Sequence, residues 1–314
     1  MNFKKPKFWD HRKISLWSTL LMPLSAIYLL IIWLIRIASR LKTYPKYSHP
    51  IICVGNIYIG GTGKTPLAKE IFKFLKLTGK NPAFIQKDHH YLIDEMKMLR
   101  NIGETFSAKS RVKALDLLIT KGHDVAILDD GFQDFSIKPN FSILCFNSKQ
   151  LIGNGFIIPA GPLREPLRSV LRANCIIING DKNKETLEFE KETTKILNGK
   201  KLHFFYSKYK IRNIEKLQNK EIIAFAGIGN PSNFFDLLKE NNINIKKTYS
   251  FPDHHNYSEK DFDKILGDKS IKIVTTEKDY CRMSDKQKEN CDYVEVNLEI
   301  ENKDELQNLI KSYL

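Results

Sequence analysis

Hydrophobic and polar positions divide the chain into two regimes. Between Lys13 and Arg36 lie 22 residues without a charge, ISLWSTLLMPLSAIYLLIIWLI. As a helix such a run reaches about 33 Å, long enough to cross a bilayer. Pro23 divides it into pieces of 9 and 12 residues, each too short to cross alone. Beyond His49 and Pro50 the pattern changes to short apolar runs punctuated by Gly, Asp and Asn. Residues 51–54, 83–85, 125–128, 143–146, 175–178, 222–226 and 271–274 read as strands. Residues 66–77 read as a helix, with Pro66 in its first turn and Leu67, Ile71, Phe74 and Leu75 on one side. Helical spacing recurs over 112–119, through Phe234, Phe235, Leu237 and Leu238, and at the end on Leu306, Leu309 and Ile310. The run 125–128 is apolar without alternation, the mark of a central parallel strand. Strands alternating with helices predict an α/β sheet. The charge-mixed stretch 185–200 reads as a solvated excursion.

Charge changes the reading of the first segment. The formal net charge is +14, and residues 1–50 carry nine Lys or Arg against the single acid Asp10, a net +8. These bases bracket the oily run, which favours an anionic lipid surface over nucleic acid. The flanks on its two sides, Lys4 to Lys13 and Arg36 to Lys46, each carry +4, so the positive-inside rule assigns no orientation. A bent or in-plane anchor, with its bases reaching head groups on one side, accounts for both Pro23 and the symmetric flanks. A full span and a buried helix of a soluble fold are the alternatives. Trp9, Trp17, Trp33 and Tyr44 suit an interfacial belt or a core equally. The five cysteines form no CxxC and read as buried small hydrophobes in a reducing compartment.

The chemistry begins at IICVGNIYIGGTGKTP, which reads strand, glycine-rich turn, helix. That is the setting of a P-loop. Gly60, Gly61, Thr62 and Gly63 let the backbone close around an anion, Lys64 reaches the β and γ phosphates of ATP, and Thr65 holds Mg²⁺. The motif is short: Tyr58 stands where the common pattern has its first Gly. Asp129 and Asp130 end the run DVAIL, where a carboxylate beside a P-loop holds Mg²⁺ or its water shell.

These segments resemble the tetraacyldisaccharide 4′-kinase family, the lipid A kinases of Gram-negative bacteria. The resemblance rests on VGNIYIGGTGKTP, DDGFQD, IGNGFIIPAGPLREPL, AFAGIGNPSNFF, FPDHHNY and TTEKDY, in family order from residue 54 to 280. It implies a P-loop NTPase-like parallel-sheet lobe, a second smaller α/β lobe and an N-terminal membrane-anchor helix, with the active site between the lobes. On that basis residues 1–47 are the anchor, 48–160 the P-loop kinase lobe, and 161–314 the second lobe, its last helix free to return to the first. The implied reaction transfers the γ phosphate of ATP, with Mg²⁺, to the 4′-hydroxyl of a lipid A disaccharide precursor. The implied setting is the cytoplasmic face of the bacterial inner membrane and its anionic surface, with no nucleic acid and no obligate protein partner.

The family's catalytic pair falls on His254, the first His of Asp-His-His, and on Asp94. Asp94 matches in spacing but lacks the flanking Gly and Pro; Glu104, beside Gly103, is the alternative. The family's Ser-Arg-Gly-Tyr-Gly string is missing, with Lys87 near the place of its Arg. Asp94 is taken as the base for the sugar hydroxyl and His254 as its partner, with the reverse also open. Glu95, Gln133, Asn154 and Arg164 are candidate substrate contacts. Lys278 either lines the cleft or forms an internal ion pair.

Three other classes compete. A metal-dependent hydrolase built on the triplets 88–90 and 253–255 leaves the glycine turn unexplained. A membrane-associated ATPase switch of the partitioning type lacks its extra Lys, since position 59 is Ile. A non-catalytic scaffold has no need of an intact Gly-Lys-Thr.

Overall fold

The computed structural model describes residues 5–40, 47–88, 93–265 and 271–314. Lys4, Lys42, Tyr44, Lys46, His89 and His90, invoked above, lie outside the described residues. The described chain forms two units: a larger one of Lys5–Asp88, Gly103–Lys208 and Leu298–Leu314, and a smaller one of residues 93–102 with Tyr209–Asn297.

The larger unit is built on β1 (Ile51–Gly55), β2 (Pro82–Lys87), β3 (Thr105–Ala108), β4 (Val125–Asp129), β5 (Phe141–Asn147), β6 (Cys175–Asn179), β7 (His203–Ile211) and β12 (Val296–Ile300), in the order β12-β7-β6-β5-β1-β4-β2-β3. β1 lies between β4 and β5 and parallel to both, with Cys53 opposite Leu128 and Val54 opposite Asp129. Every residue of β1, β4 and β5 is buried, as unbroken apolar runs require when helices cover both faces. From β1 the chain moves outward to β2 and β3, returns to β4, and then crosses to β5 on the other side. Ligands of open α/β sheets bind at the carboxyl edge of such a switch.

Two features differ from the sequence reading. The stretch 185–200 is for most of its length a helix, α5 (Lys184–Ile196), opened by a reciprocal capping box between Asn183 and Thr186. Its apolar stripe is thin: Phe189 packs on Phe146 with ring centres 4.8 Å apart, and Leu197, which caps the helix at its C-terminus, is buried. A run of Glu and Lys hides so narrow a face. The second feature is the boundary between lobes. β6 pairs with β5 and β7 with β6, so residues 161–208 join the sheet of the glycine turn rather than the second lobe. Nothing local to a strand states which sheet it enters. The last helix, α10 (Lys303–Lys311), also belongs to the larger unit, with Tyr313 against Phe141 at 5.0 Å.

The oily run forms one helix, α1 (Leu16–Arg40), which continues through Pro23 instead of breaking there. Ser18, Ser25 and Arg36 are two and three turns apart and share a face. That face is docked. Ser25 Oγ donates to Ile157 O at 2.8 Å and accepts from Ala160 N at 3.0 Å, and Ser18 Oγ accepts from Asn154 Nδ2 at 3.1 Å. Trp17, Leu20, Leu24, Ile27, Ile31 and Leu34 form the opposite stripe and are exposed. The helix is therefore amphipathic with its oily side outward, the inverse of a soluble surface helix. The tryptophans divide accordingly: Trp17 and Trp33 are 64% and 56% exposed, whereas Trp9 is a core residue at 2%.

The smaller unit carries a parallel sheet of β8 (Glu221–Ala226), β9 (Asn244–Ser250), β10 (Lys272–Thr276) and β11 (Asp292–Val294), ordered β11-β10-β8-β9. Phe225 centres its core, edge-on to Phe251, Tyr257 and Phe262. The segment between β2 and β3 contributes α3 (Ile93–Arg100) to this unit.

Ser25→Ala leaves the Ile157 carbonyl and Ala160 amide without their shared partner in a buried seam. The expected loss is about 1–3 kcal/mol, read as a lowered denaturant midpoint in detergent solution.

Candidate active site

Two constellations of charged groups stand at the carboxyl edges of the two sheets. In the larger unit, β1 ends at Gly55 and a turn leads into α2 (Lys64–Leu77). Gly60 and Gly63 have φ of 139° and 88°, values that side chains other than glycine rarely adopt, and Gly63 caps α2. The fully buried Asn56 braces the turn, its Nδ2 donating to Thr62 Oγ1 at 3.0 Å. Tyr58, the residue that departs from the common pattern, is buried. Its hydroxyl donates to Asp10 and accepts from Lys5 Nζ at 2.9 Å, tying the chain's start to this turn.

Parallel pairing of β1 with β4 brings Asp129 and Asp130 beside the turn. Thr65 Oγ1 donates to Asp129 Oδ2 at 2.9 Å. Lys64 Nζ lies 3.7 Å from Asp130 Oδ1, and Arg164 Nη1 donates to both oxygens of Asp130 at 3.2 and 3.1 Å. Burial pushes the Asp130 carboxyl up, but Lys64 and Arg164 together hold it down at about 2. Asp130 is left-handed, with φ of 54°, and Arg111 secures the bend by donating to Asp130 O at 2.8 Å and to Asp134 Oδ2 at 2.8 Å. Phe132 packs so closely on Gly55 that a Cβ there would lie 2.5 Å from its own Cβ. Gln133 Nε2 donates to Asn56 O at 2.8 Å, and its Oε1 lies 3.4 Å from Arg164 Nη1. Gln133 and Arg164 therefore belong to the rim of this turn. Asn154 does not: its amide donates to Ser18 Oγ and Ala160 O and accepts from Phe156 N, so it organises the 154–163 loop under α1.

In the smaller unit, Asp94 of α3 is 1% exposed at its side chain and ringed by donors. Oδ1 accepts from Glu95 N at 2.9 Å; Oδ2 accepts from Arg282 Nη1 at 2.8 Å and lies 3.2 Å from His254 Nδ1. Burial pushes this carboxyl up, but His254, Lys278 and Arg282 outweigh it and hold Asp94 at about 2. His254, 30% exposed, follows β9 in a left-handed conformation with φ of 57°. Lys278 Nζ lies 3.3 Å from His254 Nε2, 3.1 Å from Glu95 Oε1 and 3.6 Å from Asp253 Oδ1. Burial lowers the Lys278 pKa, and the carboxylates of Glu95, Asp253 and Asp94 more than reverse this, so it stays charged. An ammonium only donates, so in this contact Nε2 is the accepting nitrogen, and Nδ1 is the ring nitrogen that faces Asp94. Beneath lies Asp279, wholly buried. It accepts from Gly227 N, Tyr257 Oη at 2.7 Å and Thr276 Oγ1 at 2.6 Å, and pairs with Arg282.

The chain resembles known proteins over nearly its whole length. The family model for tetraacyldisaccharide-1-P 4′-kinase matches residues 17–314. A tetraacyldisaccharide 4′-kinase of Pelagibacter ubique is 41% identical over 99% of this chain and 98% of its own. The chain belongs to this kinase family. The Colwellia psychrerythraea member is 32% identical over 93% of this chain and 92% of its own. The crystal structure of LpxK from Aquifex aeolicus, solved in complex with ATP, shares the fold with a TM-score of 0.72. It is 23% identical and covers 94% of this chain and 99% of that one.

The placement of the two candidate acids is informative. Asp94 meets His254; Glu104 lies in the larger unit, 2.9 Å from His123 Nε2. Lys87 ends β2 and is exposed. Arg282 and Arg111 were not singled out from the sequence. Arg282 stands three residues after Asp279, a helical spacing that hints at their pairing, whereas nothing near Arg111 announces its hold on residues 19 and 23 positions on.

Asp94, depressed to about 2, supports the fold above its ordinary value near 4, and this contribution is lost as pH falls through about 2. Lys278→Met removes one of the charges that lower it. The acid limb of kcat/KM and the acid-unfolding midpoint are then both expected to move to higher pH; profiles that superimpose on the parent's refute the coupling.

Proposed function

We propose that the chain phosphorylates the 4′-hydroxyl of a lipid A disaccharide precursor, drawing the γ phosphate from ATP, at the cytoplasmic face of the inner membrane. The observation that carries this reading is the meeting of the glycine turn, Lys64, Thr65 and the pair Asp129 and Asp130 at one sheet edge, in a chain of this family. The backbone N–H groups of residues 60–65 and the amino end of α2 form a nest for the phosphate tail, and Lys64 offsets charge on the transferring group. One hydroxyl and two carboxylates suit a hard, oxygen-seeking cation such as Mg²⁺, which takes few protein ligands and completes its shell with water and phosphate. Thr65, Asp129 and Asp130 would hold it, and it would neutralise phosphate charge. Arg164, now on Asp130, is placed to turn its planar fork to phosphate oxygens.

The Asp94–His254 pair receives the proton of the acceptor hydroxyl. His254 is its exposed member, while Asp94 is saturated with donors and orients the ring; Glu95 and Lys278 border the same place. The anchor lies in the plane of the membrane surface. α1 is docked along its length, so a full span would draw the 154–169 segment into the hydrocarbon, whereas an in-plane helix presents only its outward stripe.

With γ-labelled ATP and a lipid A precursor in detergent, Lys64→Ala is expected to lose about a hundredfold or more in rate. Asp94→Asn and His254→Gln are each expected to lose about a hundredfold to ten-thousandfold, while Glu104→Ala stays within a few-fold of the parent. Activity lost only in Glu104→Ala would reverse the assignment of the base, and no labelled lipid from the active parent would end the kinase reading. Leu24→Glu combined with Ile31→Glu is expected to lower partition into anionic vesicles at least about tenfold.

A further inference from the structure

α1 is joined to the carboxylate turn by a charge cluster around one buried carboxylate. Glu165 is 2% exposed at its side chain. Its Oε2 accepts from Arg36 Nη2, from Arg172 Nη2 at 2.6 Å and from Ser169 Oγ at 2.8 Å, and Arg36 Nη2 also donates to Ser169 Oγ at 2.7 Å. Arg172 then reaches the segment that follows Asp130. Its Nη1 donates to Phe132 O at 3.0 Å, and its guanidinium lies 4.1 Å from the Phe132 ring centre and 4.9 Å from that of Phe135. Arg36 flanks the same Phe135 ring at 5.6 Å. Phe132 is two residues past Asp130 and is wedged on Gly55, where β1 gives way to the glycine turn.

A carboxylate buried between two guanidiniums adds little stability over a well-packed apolar substitute, because desolvation offsets the attraction. What planar, multiply bonded guanidiniums confer is direction. Here the guanidiniums of Arg36 and Arg172 both reach the segment 132–135, and Arg36 carries that contact into α1.

We propose that Arg36, Glu165 and Arg172 are positioning residues for the phosphate site: through Phe132 they set the carboxylates of Asp129 and Asp130, and they do so from the membrane-facing helix. The seating of α1 is thereby coupled to the grip on Mg²⁺ and the nucleotide's phosphates, resting on the reading of the glycine turn as that grip. Arg36 touches no reacting atom. Its effect is on the geometry of the turn.

The test uses full-length protein in detergent micelles and compares Arg36→Met, Arg36→Lys and Phe135→Leu with the parent. Three quantities are read: affinity for a non-hydrolysable ATP analogue as a function of Mg²⁺ concentration, KM for the lipid acceptor, and partition into anionic vesicles. Arg36→Met is expected to raise the Mg²⁺ needed for half-maximal analogue binding about tenfold, an ordinary size for coupling between sites. Lipid KM and vesicle partition stay as in the parent. Arg36→Lys restores only part of the loss, because an ammonium still donates to Glu165 and Ser169 but lays no planar fork against Phe135. Phe135→Leu gives the same Mg²⁺ defect without changing charge, and so carries the test if Arg36→Met does not fold. Unchanged Mg²⁺ dependence in Arg36→Met and Phe135→Leu, or losses confined to vesicle partition, overturn the proposal. A parent protein that binds no analogue overturns the phosphate-site reading itself, which is a distinguishable result.

Discussion

The parallel alignment of β1 with β4 is the constraint on which the rest depends. With Val54 opposite Asp129, the end of one strand delivers the glycine turn and the end of the other delivers a pair of carboxylates to the same edge. A slip of one residue would send alternate side chains to the opposite face. Burial of every residue in both strands makes that slip costly, so the apolar core of the sheet is also what aims the site. Phe132 on Gly55 adds a direct steric lock between the two strand ends.

Around that edge, and again in the smaller unit, the protein uses buried carboxylates paired with guanidiniums. Asp279 and Asp94 share Arg282, and Glu165 joins Arg36 to Arg172. Each is nearly or wholly removed from water, and each would be strongly destabilising if one partner were deleted. Their value lies in orientation. Asp279 holds the turn at Gly227 and the start of α8 (Glu277–Tyr280), and so aims Lys278 and Arg282 at Asp94 and His254. Depressing Asp94 by neighbouring cations keeps it ionised without exposing it to solvent.

α1 follows the opposite rule from the cores. Its polar side chains face protein and its oily ones face outward. An aqueous surface would penalise that stripe, and a lipid surface rewards it. The docked face explains how a helix with the composition of a membrane span remains attached to the larger unit along its length. Ser25 and Ser18 satisfy the backbone and side chains of the loop beneath, and Arg36 reaches past it.

The sequence by itself determined the local features. Unbroken apolar runs specified the central strands, glycines at 60 and 63 marked the turn, and the oily run marked the long apolar helix, because each of these depends on neighbours within a few residues. The string DDGFQD and the Asp-His-His triplet were legible as candidate site residues for the same reason. Tertiary structure alone decided the rest. The allegiance of residues 161–208 to the first sheet depends on strand pairing that no strand announces. The choice of Asp94 over Glu104 as the neighbour of His254 depends on where α3 folds, and the duty of Asn154 depends on α1 lying above it. The linkage of Arg36 to Glu165, across 129 positions of chain, is a contact between residues whose local surroundings say nothing of each other. Period and turn chemistry are written in short windows, but which charges meet is settled only when distant segments are packed and water is excluded from between them.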